Sequence, residues 1–150
     1  MKTKKPLIIL ILLALLTSSN AMSQEGRERK NSISLSAFGT SPVIGITYER
    51  LLTKAISAEA GVGFFGLGIG VNYYPFTVKQ GKVNFYTGIK YSYIEDFLIF
   101  DLAEHFYDSK LYIPFGINYL SSWNMNFGLD IGPAIVGEGF LGNLKIGFRF

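Results

Sequence analysis

The last eight residues, Asn143-Leu144-Lys145-Ile146-Gly147-Phe148-Arg149-Phe150, decide the fold. Leu144, Ile146, Phe148 and Phe150 share one face of an extended chain, and Asn143, Lys145, Gly147 and Arg149 share the other. Successive side chains of a strand point to opposite faces, so this period of two marks a strand with an apolar and a polar side. The stretch extends back to Phe140, and seven more of the same kind precede it.

Moving toward the N-terminus, Asn124–Val136 sets Met125, Phe127, Leu129 and Ile131 against Asn126, Gly128, Asp130 and Gly132. Ser109–Tyr119 sets Leu111, Ile113, Phe115, Ile117 and Tyr119 against Tyr112, Pro114, Gly116 and Asn118. Lys82–Tyr93, Leu67–Phe76, Ala55–Phe65, Val43–Leu51 and Ser32–Gly39 continue the pattern. Eight strands in series, with all connections short but one, predict an all-β, antiparallel, up-and-down barrel.

Alternation alone fits a soluble barrel with its apolar face inward or a membrane barrel with that face in lipid. Three features favour the membrane barrel. The polar face is also small: Gly45, Gly61, Gly63, Gly68, Gly70, Gly88, Gly116, Gly128, Gly132 and Gly147 all fall on it, as a crowded eight-stranded lumen requires. The stretches run to about ten residues, the length of a tilted membrane strand, whereas globular strands run to about five or six. Aromatics on the apolar face gather near strand ends. Tyr48, Tyr73, Phe85, Tyr119, Phe127, Phe148 and Phe150 are expected at one rim and Phe64, Tyr91, Tyr93 and Phe140 at the other, as girdles at the lipid–water boundary.

A sheet edge in lipid leaves N–H and C=O groups unsatisfied, so the eight strands must close. An even count brings both termini to one end, with inner turns at Leu52–Lys54, Thr77–Gly81 and Leu120–Trp123. Thr40–Pro42, Gly66, Ile94–Asp108 and Gly137–Gly139 form the outer loops.

The N-terminus supplies the address. Lys2, Lys4 and Lys5 precede an unbroken apolar run from Leu7 to Leu16, and small residues follow in Ser19-Asn20-Ala21 and Ala21-Met22-Ser23. This is the pattern of a secretory signal peptide, expected to span residues 1–21 with cleavage as late as 23. The run is too short for a spanning helix. Residues 22–31 read as a polar periplasmic tail, and residues 32–150 as the barrel.

Of 150 residues, 17% are charged and 49% hydrophobic, which excludes a disordered chain. The 14 basic and 11 acidic residues give a net +3, but Lys2, Lys4 and Lys5 leave with the signal, so the mature chain balances at 11 against 11. No basic, aromatic-interleaved stripe remains to suggest nucleic acid. Zero cysteines exclude disulfides, thiol chemistry and a lipid-modified N-terminal cysteine. One histidine excludes a three-histidine metal site, and no metal or cofactor is expected.

With these stretches in place, the chain resembles the small outer-membrane β-barrel proteins of Gram-negative bacteria, the OmpA/OmpX-like barrels without a periplasmic domain. The likeness covers the whole mature chain. Its most specific element is the alternating end closing on Phe148 and Phe150, which resembles the signal read by the barrel-assembly machinery. Gly45-Ile46-Thr47-Tyr48-Glu49-Arg50 and Gly70-Val71-Asn72-Tyr73-Tyr74-Pro75 also look typical. The resemblance implies a porin-like monomer in the bacterial outer membrane, in contact with its lipids, and served by periplasmic chaperones and the assembly machinery during biogenesis.

Six inward charges are candidate site residues: Glu49, Glu59, Lys90, Asp130, Lys145 and Arg149. A last hairpin turning near Glu138 sets Asp130 almost opposite Lys145. A second hairpin turning near Thr53 brings Glu49 and Glu59 together, where two carboxylates repel unless a cation intervenes. Arg149, at similar depth, is expected between them. The set reads either as a proton or ion path or, in a barrel too narrow for an aqueous channel, as a plug of salt bridges; the plug is the expected reading.

His105, four residues before Ser109, is the one anchor for an enzymatic reading. It matches no recognisable motif and has no evident third residue. The loop Ile94–Asp108 mixes Glu95, Asp96, Asp101, Glu104 and Asp108 with Phe97, Phe100 and Phe106. It could meet a surface partner or bridging cations; the expected reading is that it extends the strands or forms a short helix folded over the barrel mouth. The sequence therefore predicts a non-enzymatic outer-membrane barrel with an envelope-structural or surface-interaction role. The alternatives are a lipid-modifying outer-membrane enzyme and a secreted soluble barrel with an apolar ligand.

Overall fold

The computed structural model describes residues 29–94, 109–137 and 139–150. The expected signal peptide, most of the tail, His105, Glu138 and the loop beyond Ile94 lie outside the described residues. Nine strand segments follow in chain order: β1 (Asn31–Phe38), β2 (Ser41–Leu51), β3 (Ile56–Gly63), β4 (Gly66–Tyr73), β5 (Lys82–Ile94), β6 (Lys110–Tyr112), β7 (Phe115–Leu120), β8 (Met125–Val136) and β9 (Phe140–Arg149).

Neighbours pair antiparallel throughout, and β1 pairs with β9, so the sheet closes. Both β6 and β7 lie between β5 and β8, so the nine segments make eight strands. The predicted unbroken strand Ser109–Tyr119 is thus divided. Pro114 has no N–H to give the ladder. Just before it, the register slips, with Leu111 opposite Val136 and Tyr112 opposite Ala134. Ile113 N still donates to Pro133 O at 3.2 Å across the break. At the seam, Asn31 N donates to Phe150 O at 3.0 Å, and Phe150 N to Asn31 O at 2.7 Å.

The strands are staggered as closure demands. Following partners from Ile33 through Tyr48, Ala60, Ile69, Tyr91 and Leu111 arrives on β8 at Val136, whereas the other direction, through Phe148, arrives at Met125. Eleven positions on β8 separate the two arrivals, which is the stagger of a strongly tilted barrel.

The alternation sorts chemistry by face, polar inward and apolar outward. Ser32, Ser34, Ser36, Thr47, Ser57, Asn72, Asn118, Asn126 and Asn143 are buried with all six candidate charges. Large hydrophobic residues that are buried number only five among the described residues: Leu51, Tyr74, Tyr86, Tyr112 and Leu120. Leu35, Ile46, Val62, Ile69, Ile89, Leu129 and Ile131 stand exposed on the outer wall.

One hairpin departs from the expected surface turn. Phe38 pairs with Ser41 while Ala37 pairs with Ile44, so Pro42 and Val43 are extra residues. Phe38, Gly39 and Val43 adopt positive φ of 66°, 67° and 66°. This bulge turns Thr40 and Ser41 inward, where both are fully buried. Thr40–Pro42, read from sequence as an outer loop, instead closes the lumen mouth. A Cβ on Gly68 would lie 2.5 Å from Thr40 O and 2.7 Å from Tyr91 O, so only glycine leaves room for the tip.

Candidate functional site

The lumen is held by ion pairs that reach across strands that are not neighbours. Lys145 Nζ on β9 lies 2.6 Å from Glu59 Oε2 on β3. Lys90 Nζ on β5 lies 3.0 Å from Glu59 Oε1 and 2.7 Å from Asp130 Oδ2 on β8. These side chains are at most 2% exposed, so each charge has lost its water and depends on its partners.

Neutral donors complete the shell. Asp130 accepts from Tyr86 OH at 2.6 Å, Asn143 Nδ2 at 3.1 Å and Tyr112 OH at 3.3 Å. Glu59 accepts from Thr40 Oγ1 at 3.0 Å and Asn72 Nδ2 at 2.9 Å. The Tyr86 ring lies 5.4 Å from Lys90 Nζ and 5.7 Å from Lys145 Nζ, within reach of a cation–π attraction to both. Tyr74 packs on Tyr86 at 5.4 Å between ring centres.

Toward the termini, Glu49 faces Glu59 directly across β2 and β3, as the sequence predicts. Its Oε1 accepts from Ser57 Oγ at 2.6 Å, Tyr74 OH at 2.9 Å and Asn72 Nδ2 at 3.4 Å. Asn72 therefore touches both carboxylates and carries the network from one to the other. Arg149 is buried, yet among the described residues it forms no ion pair with Glu49 or Glu59. Glu49 Oε2 and Arg149 Nε both lack a hydrogen-bond partner. Ser32 separates the two, being paired with Glu49 on one side and with Arg149 on the other.

Two expected pairings are thereby corrected. Asp130 lies opposite Asn143, and Lys145 opposite Gly128, two residues from the predicted register. The last hairpin is centred between Val136 and Gly137 rather than at Glu138, because positive φ at Gly137 and Gly139 lets the chain reverse early. Lys145 then reaches Glu59, one of the two carboxylates between which Arg149 was expected. Sequence reading missed Thr40, Asn72, Tyr86, Tyr112 and Asn143 as partners. Their position on the inward face is legible from alternation, but the hydrogen bonds that tie them to the charges depend on the stagger.

When all are ionised, Glu49, Glu59 and Asp130 balance Lys90, Lys145 and Arg149. A neutral, tightly paired interior can brace the strands and block the bore. Among the described residues no group of three His, Cys, Asp or Glu side chains is placed to hold a metal ion. Comparison with protein-family models, curated proteins and solved structures gives no match.

Proposed function

We propose that the chain is an integral outer-membrane β-barrel, exported by its N-terminal signal and non-enzymatic, with an envelope-structural or surface-interaction role. The inverted distribution of side chains carries this reading. Ion pairs occupy the interior, while the whole circumference exposes Ile33, Leu35, Ile46, Val62, Ile69, Ile89, Ile117 and Leu129. In water such a wall is a large contiguous apolar patch, which soluble monomers avoid. In hydrocarbon it is the expected surface, with every ladder closed and no edge strand.

The interior supports a bracing role over a conducting one. Lys90, Lys145, Tyr86 and Asn72 fill the middle of the bore, and Thr40 closes its mouth. The test is a gel of the outer-membrane fraction with and without boiling. A band that shifts on boiling is the expected result, because membrane barrels resist SDS until heated. A soluble periplasmic band that does not shift would overturn the reading.

A further inference from the structure

We infer that the outer wall holds one anionic glycerophospholipid at the foot of β2 and β3, with its phosphate at Arg50 and Lys54 and an acyl chain over Ala58 and Ala60. The inference rests on the membrane reading above, which makes lipid the species that covers an outward side chain at this level.

Among the described strands, Arg50 is the one charged residue on the outward register. Glu49, Glu59, Lys90, Asp130, Lys145 and Arg149 are buried inside, and Lys82 and Lys110 share the register of the inward residues Asn84 and Tyr112. Arg50 instead continues the outward row of Ile44, Ile46 and Tyr48, and it is half-buried there. Its partner Asn31 on β1 pairs in turn with Phe150, which sets Arg50 at the aromatic rim. A cation on the lipid-facing register is tolerated at that boundary, where headgroups can meet it.

The side chains around Arg50 offer donors. Tyr48 OH donates to Asn31 Oδ1 at 2.8 Å, which occupies the amide oxygen and leaves the amide nitrogen to donate beside Arg50. Among the described residues Arg50 has no ion pair or hydrogen bond of its own. Lys54 stands exposed in the turn after β2. That turn is tight: Leu52 N and Thr53 N donate to Ile56 O at 2.9 and 3.1 Å, and Thr53 Oγ1 accepts from Ile56 N at 3.0 Å. Every acidic side chain among the described residues, Glu49, Glu59 and Asp130, is buried in the lumen, so none competes with a phosphate here. A guanidinium presents a forked pair of donors that matches phosphate, and a second cation beside it favours a lipid of net negative charge.

The wall next to Arg50 is low. Arg50 pairs with Ala58 and Tyr48 with Ala60, and on the far side these alanines pair with Val71 and Ile69 of β4. Two methyl groups thus lie between Tyr48 on one side and Ile69 and Val71 on the other. An acyl chain whose phosphate rests on Arg50 lies along this track.

A reporter is built by Ile69→Trp, opposite Ala60, in a chain whose one tryptophan is removed by Trp123→Phe. Its fluorescence is measured in phosphatidylcholine vesicles containing a minor fraction of lipid with brominated chains, either phosphatidylglycerol or phosphatidylcholine. The brominated anionic lipid is expected to quench roughly twofold more than the zwitterionic one at equal fraction. Arg50→Gln removes the excess and Lys54→Gln reduces it. Lys79→Gln with Lys82→Gln, in a different turn, retains it.

Equal quenching by both lipids in a protein that still shifts on boiling overturns the inference and leaves the membrane reading intact. So does an excess that survives Arg50→Gln, or one that the Lys79 and Lys82 variant abolishes as fully, since that describes a diffuse basic rim. A protein that neither inserts nor shifts overturns both.

Discussion

Lys145 Nζ sits 2.6 Å from Glu59 Oε2, 86 residues away in sequence and on a strand that does not pair with its own. The contact links β9 to β3 through the lumen, past β1 and β2, so it braces the barrel across its interior as well as along its ladder. Glu59 also holds Lys90, which holds Asp130, and one carboxylate thereby fixes three further strands.

Removing one member leaves buried charge uncompensated. Lys145→Met is expected to destabilise the barrel by about 3–5 kcal/mol, since the lost attraction no longer offsets the desolvation of Glu59. Lys145→Met combined with Glu59→Gln costs less than the sum of the two single variants, because neither charge then remains stranded. Urea midpoints of the refolded proteins in detergent check this. Strict additivity would mean that the two side chains do not interact.

Arg149 makes no such pair, and a smaller effect follows. Arg149→Gln is expected to cost clearly less than Lys145→Gln, although the two residues share a strand and a face. The same urea midpoints compare them. A larger loss for Arg149→Gln would restore the cation to the place between Glu49 and Glu59 that the strand pattern alone suggests.

Tyr86 joins the ion pairs through one hydroxyl. Tyr86→Phe keeps the ring against Tyr74 and both lysines but withdraws the 2.6 Å hydrogen bond to Asp130. A cost of about 1–3 kcal/mol is expected for leaving a buried charged acceptor short of a donor. An unchanged midpoint would show that Lys90, Asn143 and Tyr112 satisfy Asp130 without it.

The bulge in the first hairpin stores strain. Val43 is β-branched, yet its φ is +66°, a conformation costly for such a side chain. Val43→Gly is expected to stabilise the barrel by about 1 kcal/mol, provided the tip keeps Thr40 in the mouth. A loss of stability would mean that the Val43 side chain contributes more on the outer wall than its backbone costs.

Alternation made most of the fold legible. Leu144, Ile146 and Phe148 against Lys145, Gly147 and Arg149 assign two faces without reference to any contact, and the strand bounds follow to within a few residues. The site was legible only as a set of inward residues. Which of them meet depends on the stagger and on turn geometry. Shifting the register of the last hairpin by two residues separated Asp130 from Lys145 and sent each to a different strand. The buried tip at Thr40 was not legible at all, since Thr40-Ser41-Pro42 has the composition of a surface turn and only the positive φ values around it turn it inward.

Phe150 allows the expected assembly signal to be tested apart from stability. Its backbone closes the seam with Asn31 through hydrogen bonds of 2.7 and 3.0 Å, while its side chain faces outward. Phe150→Ala keeps both backbone bonds, and deletion of Phe150 removes both. If the ring is read by the assembly machinery, Phe150→Ala lowers the heat-modifiable fraction in cells yet refolds in detergent with a midpoint close to that of the native chain. Deletion lowers both the fraction and the midpoint. A Phe150→Ala variant that loses stability in detergent as far as the deletion does would place the ring's contribution in the folded barrel. Normal accumulation in cells would remove the assembly role for Phe150 and leave Phe148 to be tested by the same pair of measurements.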